Sequence, residues 1–260
     1  MKIESLHIIP DVNNIDDTLK LCEKWNLSFE YNDFFDPKLL DDGKKLQDRI
    51  DFYKKLGRPH GADTLHGVFL DMCVNSQDDR IAQISKDRMT KSMEIASELG
   101  CKGVVFHTNL IPGFEPDFYL DGWLNKHVEF YKELLSQFPE IKIWVENMFD
   151  FKPDMLARLG EAMQGMDNFG VCYDVAHGHI HDLPMENWVS SLAPYIGHLH
   201  INDNDGLTDQ HRSVGAGTID WTNYFSLLDS FNISASMLIE VKDIQSQIES
   251  LEFLKSKGII

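Results

Sequence analysis

Histidines and carboxylates in this chain gather at one kind of place, the ends of short apolar runs. TLHGVFLD carries His66, and KGVVFHTN reaches His107. KIWVENM carries Glu146, and GVCYDVAHGH carries Asp174 with His177 three residues on. GHLHINDND carries His200, the segment after it carries Asp209 and His211 as DQH, and SMLIEVK reaches Glu240. Any one of these has an ordinary reading: His66 as a hydrogen-bonded core histidine, Glu146 or Glu240 as the partner of a lysine. Together they are harder to house. Buried charges need partners, and Glu146, Asp174, Asp209 and Glu240 would repel one another if they converged. Arg212 is the basic side chain next to a candidate ligand in the DQH segment, too little to offset four carboxylates. Divalent cations would neutralise them. Imidazole plus carboxylate suits Zn²⁺ or Mn²⁺, and five neutral histidines with four carboxylates could hold about two or three such ions.

Convergence needs a scaffold, and the spacing supplies one. Apolar runs of strand length cover 3–9, 27–31, 64–70, 103–107, 141–146, 169–174, 196–201 and 236–241. Several are rich in β-branched residues. Stretches with helical spacing of apolar residues follow at 15–25, 39–56, 80–99, 123–135, 153–163, 185–192, 219–231 and 244–257. Eight strand-then-helix units predict one domain, residues 1–260, folded as a (β/α)₈ TIM barrel, whose chemistry sits at the C-terminal ends of its strands. A doubly wound open sheet is the alternative, but no GxGxxG or GxxxxGK[ST] follows any run. In the barrel the candidate ligands share one rim.

Composition sets the outer bounds. The 260 residues carry 24 Lys and Arg against 42 Asp and Glu, a net charge of −18. That argues against wholesale binding to nucleic acid or to an anionic membrane. No apolar run approaches the ~20 residues needed to span a bilayer. The opening Met1-Lys2-Ile3-Glu4 lacks a basic region followed by an apolar one, so no signal peptide is expected. Cys22, Cys73, Cys101 and Cys172 form no CxxC pair and read as reduced core cysteines of a cytoplasmic protein.

These residues resemble the xylose isomerase-like TIM-barrel superfamily, which holds sugar isomerases, epimerases and endonuclease IV. The resemblance rests on VEN at Glu146, on GVCYDVAH from Gly170 to His177, and on HLHINDNDGLTDQHRSVGAGTIDW from His198 to Trp221. The epimerase type of site implies one divalent ion held by Glu146, Asp174, His200 and Glu240, with His177 touching substrate. The larger trinuclear zinc set of endonuclease IV resembles His66, His107, Glu146, Asp174, His177, His200, Asp209, His211 and Glu240 here. Other features depart from the repair enzyme. The opening IIPDVNNIDD lacks its Gly- and His-rich pattern, the chain has six arginines, and NDNDGLTD is acidic where a phosphate backbone would approach.

The leading expectation is a Zn- or Mn-dependent isomerase or epimerase of a small sugar or sugar phosphate, with one to three ions. In it Glu146 and Glu240 remove and return the proton beside a carbonyl. An endonuclease IV-like zinc phosphodiesterase, acting on abasic DNA or a small phosphoester, is the alternative. A structural metal site is disfavoured, because no cysteine lies among the candidate ligands. Arg212 could bind a terminal phosphate. Glu30, at the end of the second run, is expected either to hydrogen-bond substrate or to form a salt bridge. His198 is expected in a lower barrel layer, His179 and His181 in solvent. Trp123, Trp144, Trp188 and Trp221 are expected in the core, and Phe114, Phe118 and Tyr119 in a long fourth loop that could cover the site.

Overall fold

The computed structural model describes residues 1–58 and 61–260. Its strands are β1 (Lys2–Ile8), β2 (Ser28–Tyr31), β3 (Thr64–His66), β4 (Gly103–His107), β5 (Lys142–Glu146), β6 (Phe169–Asp174), β7 (Ile196–Ile201) and β8 (Ser234–Ile239). Each pairs in parallel with the next, and β8 pairs with β1, so the sheet closes as β1-β2-β3-β4-β5-β6-β7-β8. This is a (β/α)₈ TIM barrel. The register brings His107 opposite Glu146 and Asp174 opposite His200, so strand ends that bear candidate ligands lie side by side.

The helices are α1 (Ile15–Trp25), α2 (Pro37–Leu40), α3 (Gly43–Lys55), α4 (Asp79–Leu99), α5 (Asp117–Gln137), α6 (Asp154–Ala162), α7 (Val175–His179), α8 (Met185–Leu192), α9 (Trp221–Ser230) and α10 (Ile244–Ser256). Their ends follow local chemistry. Gly100 closes α4 in the left-handed conformation, its N–H donating to Ala96 and Ser97 carbonyls. Asp78, Asp220 and Asp243 cap α4, α9 and α10 by accepting backbone N–H bonds. The expected helix 39–56 is broken in two because Asp42 accepts from the Lys45 N–H and starts α3 afresh.

Two boundaries move in ways that shape the mouth of the barrel. The third strand ends at His66, not at residue 70. Beyond it the chain leaves the sheet through Asp71, in the left-handed region, and Leu70 is exposed. The fifth helix begins at Asp117, six residues earlier than its apolar spacing predicts; Pro116 precedes it in extended conformation, and Asp117 puts a carboxylate in the first turn, where the helix dipole favours it. Phe118 and Tyr119 therefore sit on its first turn; only Phe114 lies on the loop before it.

The barrel floor is built on Trp144 and His198. Trp144 is 5% exposed and stacks on His198 with ring centroids 4.8 Å apart. A Cβ at Gly103 would lie 2.0 Å from the Trp144 ring, and one at Gly197 2.7 Å from its Nε1. Small residues on the flanking strands are what let an indole cross the barrel. Trp123, Trp188 and Trp221 are buried with it.

Candidate metal centre

Glu146 ends β5 and is fully buried. Its Oε2 lies 3.1 Å from His200 Nδ1, 3.2 Å from His107 Nε2 and 3.8 Å from His66 Nε2, and its Oε1 lies 3.2 Å from His177 Nδ1. One carboxylate thus faces four imidazoles. Glu240 is the first residue after β8; its Oε2 lies 3.4 Å from His200 Nδ1. Ligand atoms of Glu146, Asp174, His200 and Glu240 all lie within 4.8 Å of one another. Four further groups meet the same limit: His66, His107 and Glu146; His66, His200 and Glu240; His177, Asp209 and His211; and, with the one cysteine that joins a group, Cys172, His198 and His200. The nine residues singled out in the sequence converge on one rim.

The ring nitrogens are sorted by their outer partners. His66 Nδ1 bonds the Gly67 carbonyl at 3.0 Å, His177 Nδ1 the Asn147 carbonyl at 2.8 Å, and His211 Nδ1 the Glu240 carbonyl at 2.9 Å. A carbonyl only accepts, so each Nδ1 carries a proton, and Nε2 is the nitrogen that offers a lone pair when the ring is neutral. Nε2 of His66 points at Nε2 of His107, 3.1 Å away, and Nε2 of His177 lies 3.5 Å from Asp209 Oδ2. His200 is turned the other way. Its Nε2 lies 3.0 Å from Glu30 Oε1, leaving Nδ1 to the quartet.

These donors fit a divalent ion. Both oxygens of Glu146, both nitrogens of His200 and Oε2 of Glu240 are buried without a hydrogen-bond partner in good geometry, although several lie at ion-pair distance. Apart from His200 Nε2, which faces Glu30, these are unsatisfied carboxylate and imidazole atoms that meet at one place, a cation's ligand set.

Titration carries the same strain. Burial pushes Asp174 up to about 7, with Glu240 and Glu146 adding repulsion to the pull of His177. Burial works against ionised Glu240, yet His200 and His211 hold it down at about 2. Burial also opposes a charge on His211, but Asp209 and Glu240 raise it to about 10. Without an ion, His177, His200 and His211 are the rings held toward the protonated form, while burial and His107 push His66 the other way.

The remaining expected residues fall elsewhere. Glu30 does not face the open mouth. It is fully buried below His200, accepting from Thr64 Oγ1 at 2.7 Å and contacting His198 Nε2 at 3.0 Å. His198 lies in that lower layer, its Nδ1 2.6 Å from Ser236 Oγ. Arg212 is on the rim with Nη2 3.9 Å from Asp205. His179 bonds Thr218 Oγ1 at 2.9 Å, and His181 lies against Phe151. Residue types alone did not single out Asn147 and Asn202. Asn147 bonds the Asp174 backbone at both N and O, each at 2.9 Å, and Asn202 Nδ2 reaches Asp174 Oδ2 at 3.3 Å. Their signal was position: each directly follows a strand end that bears a ligand.

Residues 25–257 match the family described as xylose isomerase-like TIM barrel, and the chain belongs to it. The chain is 24% identical over 247 residues to an uncharacterized protein of Methanocaldococcus jannaschii, covering 90% of this chain and 79% of that one. A probable endonuclease 4 of Staphylococcus aureus is 24% identical over 188 residues, 64% of this chain and 62% of its own. Among solved structures, a D-tagatose 3-epimerase-like protein superposes with a TM-score of 0.72 at 22% identity, covering 98% of both chains. A Thermus thermophilus protein soaked with zinc chloride gives 0.72 at 23% identity, covering 98% of this chain and 97% of that one. At these identities the superpositions establish the fold. Among the described residues no helix is long and apolar enough to cross a membrane.

Proposed function

We propose that this chain is a divalent-metal-dependent isomerase or epimerase of a small sugar or sugar phosphate, working by proton transfer alpha to a carbonyl. The observation that carries the reading is the quartet of Glu146, Asp174, His200 and Glu240, whose ligand atoms meet within 4.8 Å at the C-terminal mouth. A divalent ion, Zn²⁺ or Mn²⁺, would supply a Lewis acid for the carbonyl and its neighbouring hydroxyl. Glu146 and Glu240 approach from different strands, so one can take the proton and the other return it. His177, held through Nδ1 by the Asn147 carbonyl, would turn Nε2 toward a substrate oxygen and orient it. The solved D-tagatose 3-epimerase-like protein lends support through its shared fold. Four free cysteines support a reducing, cytoplasmic setting.

A second reading has its own observation. The groups His66–His107–Glu146 and His177–Asp209–His211 flank the quartet, giving room for up to about three ions in all. That inventory suits a zinc phosphodiesterase, as the likeness to a probable endonuclease 4 also suggests. The acidic loop and the charge of −18 weigh against a DNA substrate.

The deciding experiment incubates metal-loaded protein in D₂O with a panel of ketoses. Deuterium is expected at a carbon alpha to the carbonyl, lost on chelation and in Glu146→Gln. No exchange with any ketose, together with chelator-sensitive cleavage of an abasic duplex or a small phosphodiester, would replace the first reading by the second.

A further inference from the structure

Seven of the nine candidate ligands stand at strand ends or one turn beyond them. Asp209 and His211 do not. They ride on the long connection between β7 and α9, residues 202–220, where no regular element holds them. His211 is in the left-handed region, with φ of +46°, so its placement has to be imposed from outside.

Asp203 imposes it. Its carboxylate is fully buried and accepts four N–H groups. Oδ1 takes those of Asn204 at 3.0 Å and Ile219 at 3.2 Å; Oδ2 takes Gly215 at 3.0 Å and Trp221 Nε1 at 2.7 Å. Its backbone pairs with Arg212, the residue after His211, through bonds of 3.0 and 2.8 Å. One side chain thus ties the root, middle and exit of the loop. The next residue ties the loop to the segment bearing His177: Asn204 Nδ2 donates to the Ala176 carbonyl at 2.9 Å. The approach is so close that a Cβ at Gly217 would lie 2.2 Å from Asp203 Oδ1. No described lysine, arginine or histidine pairs with Asp203, so N–H groups alone offset its charge.

We infer that Asp203 is a positioning residue: it folds the connection that sets Asp209 and His211 against His177, and so makes that ligand group separable from the quartet. The inference rests on the second reading of the site, in which His177, Asp209 and His211 hold an ion beside that of the quartet. Asn at this position keeps the size but turns an N–H₂ toward donors that need an acceptor.

The test is a zinc titration of the wild type, Asp203→Asn and Trp221→Phe, followed by the histidine ring ¹⁵N signals. Zinc on His211 and His177 is read at Nε2 and zinc on His200 at Nδ1, so the groups are scored apart. In Asp203→Asn the affinity read at His211 is expected to fall by roughly 10–100-fold, as for other outer-shell losses, with that read at His200 unchanged. Trp221→Phe, which removes one of the four N–H groups and keeps an aromatic ring, gives a smaller loss of the same pattern and carries the test if Asp203→Asn does not fold. Equal loss at both groups, or none at either, overturns the inference. Amide exchange of the zinc-free proteins gives a second, metal-independent readout. Faster exchange confined to 204–221 is expected in the variants, and unchanged exchange there overturns the positioning role. A wild type that binds no zinc overturns the metal reading of the site, and the exchange data then decide on Asp203 alone.

Discussion

At the scale of single residues, the site depends on side chains packed behind its ligands. Glu30 holds His200 Nε2 and so presents Nδ1 to the quartet. Glu30→Gln is expected to lower zinc affinity by roughly 10–100-fold, measured by competition with a chromogenic chelator; unchanged affinity would show that the quartet orients His200 unaided. His127 supplies a test remote from the centre. It is buried in α5, with Nδ1 2.8 Å from the Trp123 carbonyl, and burial holds its pKa down at about 4 against an ordinary 6.5. The unfolded chain therefore takes up this proton before the folded chain does. Stability is full above about 6.5 and declines as pH falls toward 4, by up to about 3 kcal/mol. Urea unfolding of His127→Gln across that range should show a flatter decline. Part of the slope should persist, because His7 is also held at about 4 by burial and His198.

At the scale of elements, the floor and the mouth of the barrel are made by different rules. The floor depends on space. Gly103, Gly170 and Gly197, on β4, β6 and β7, leave room for the Trp144 ring, and His198 stacks on it below His200. Gly103→Ala would drive a methyl into the indole and is expected to cost about 1–3 kcal/mol in urea unfolding, the usual range for overpacking. A neutral result would mean that Trp144 can tilt without disturbing its neighbours. The mouth depends on where strands stop. The early end of β3 places His66 at the rim, and the early start of α5 fixes Phe118 and Tyr119 on a helix.

At the scale of the whole molecule, the charge of −18 and the centre are linked. Two or three divalent ions would bring it to about −14 or −12. Ions that bind only the folded chain stabilise it: zinc at 100 times its Kd should add about 2.7 kcal/mol, seen as a Tm that rises with zinc and returns on chelation. Binding should also expel protons. Burial opposes charge on His211, yet Asp209 and Glu240 raise it to about 10, and His177 and His200 are raised by their carboxylates as well. A ligating imidazole must be neutral, so affinity is expected to rise with pH through the neutral range. Calorimetry in buffers of differing ionisation enthalpy measures the released protons; no release would contradict protonated imidazoles in the ion-free site.

The alternation of runs and the residue types at their ends were readable in order along the chain, because each depends on neighbours a few positions away. That is enough to define a barrel of eight units and nine candidate ligands on one rim. Which nitrogen of each histidine faces inward was not readable. It follows from carbonyls and carboxylates far off in sequence, such as Glu30, which meets His198 across 168 positions. The same holds for Glu30 lying below the site and for Asp203 tying its loop together. Their residue types allow many partners, and only closure of the barrel brings one set within bonding distance.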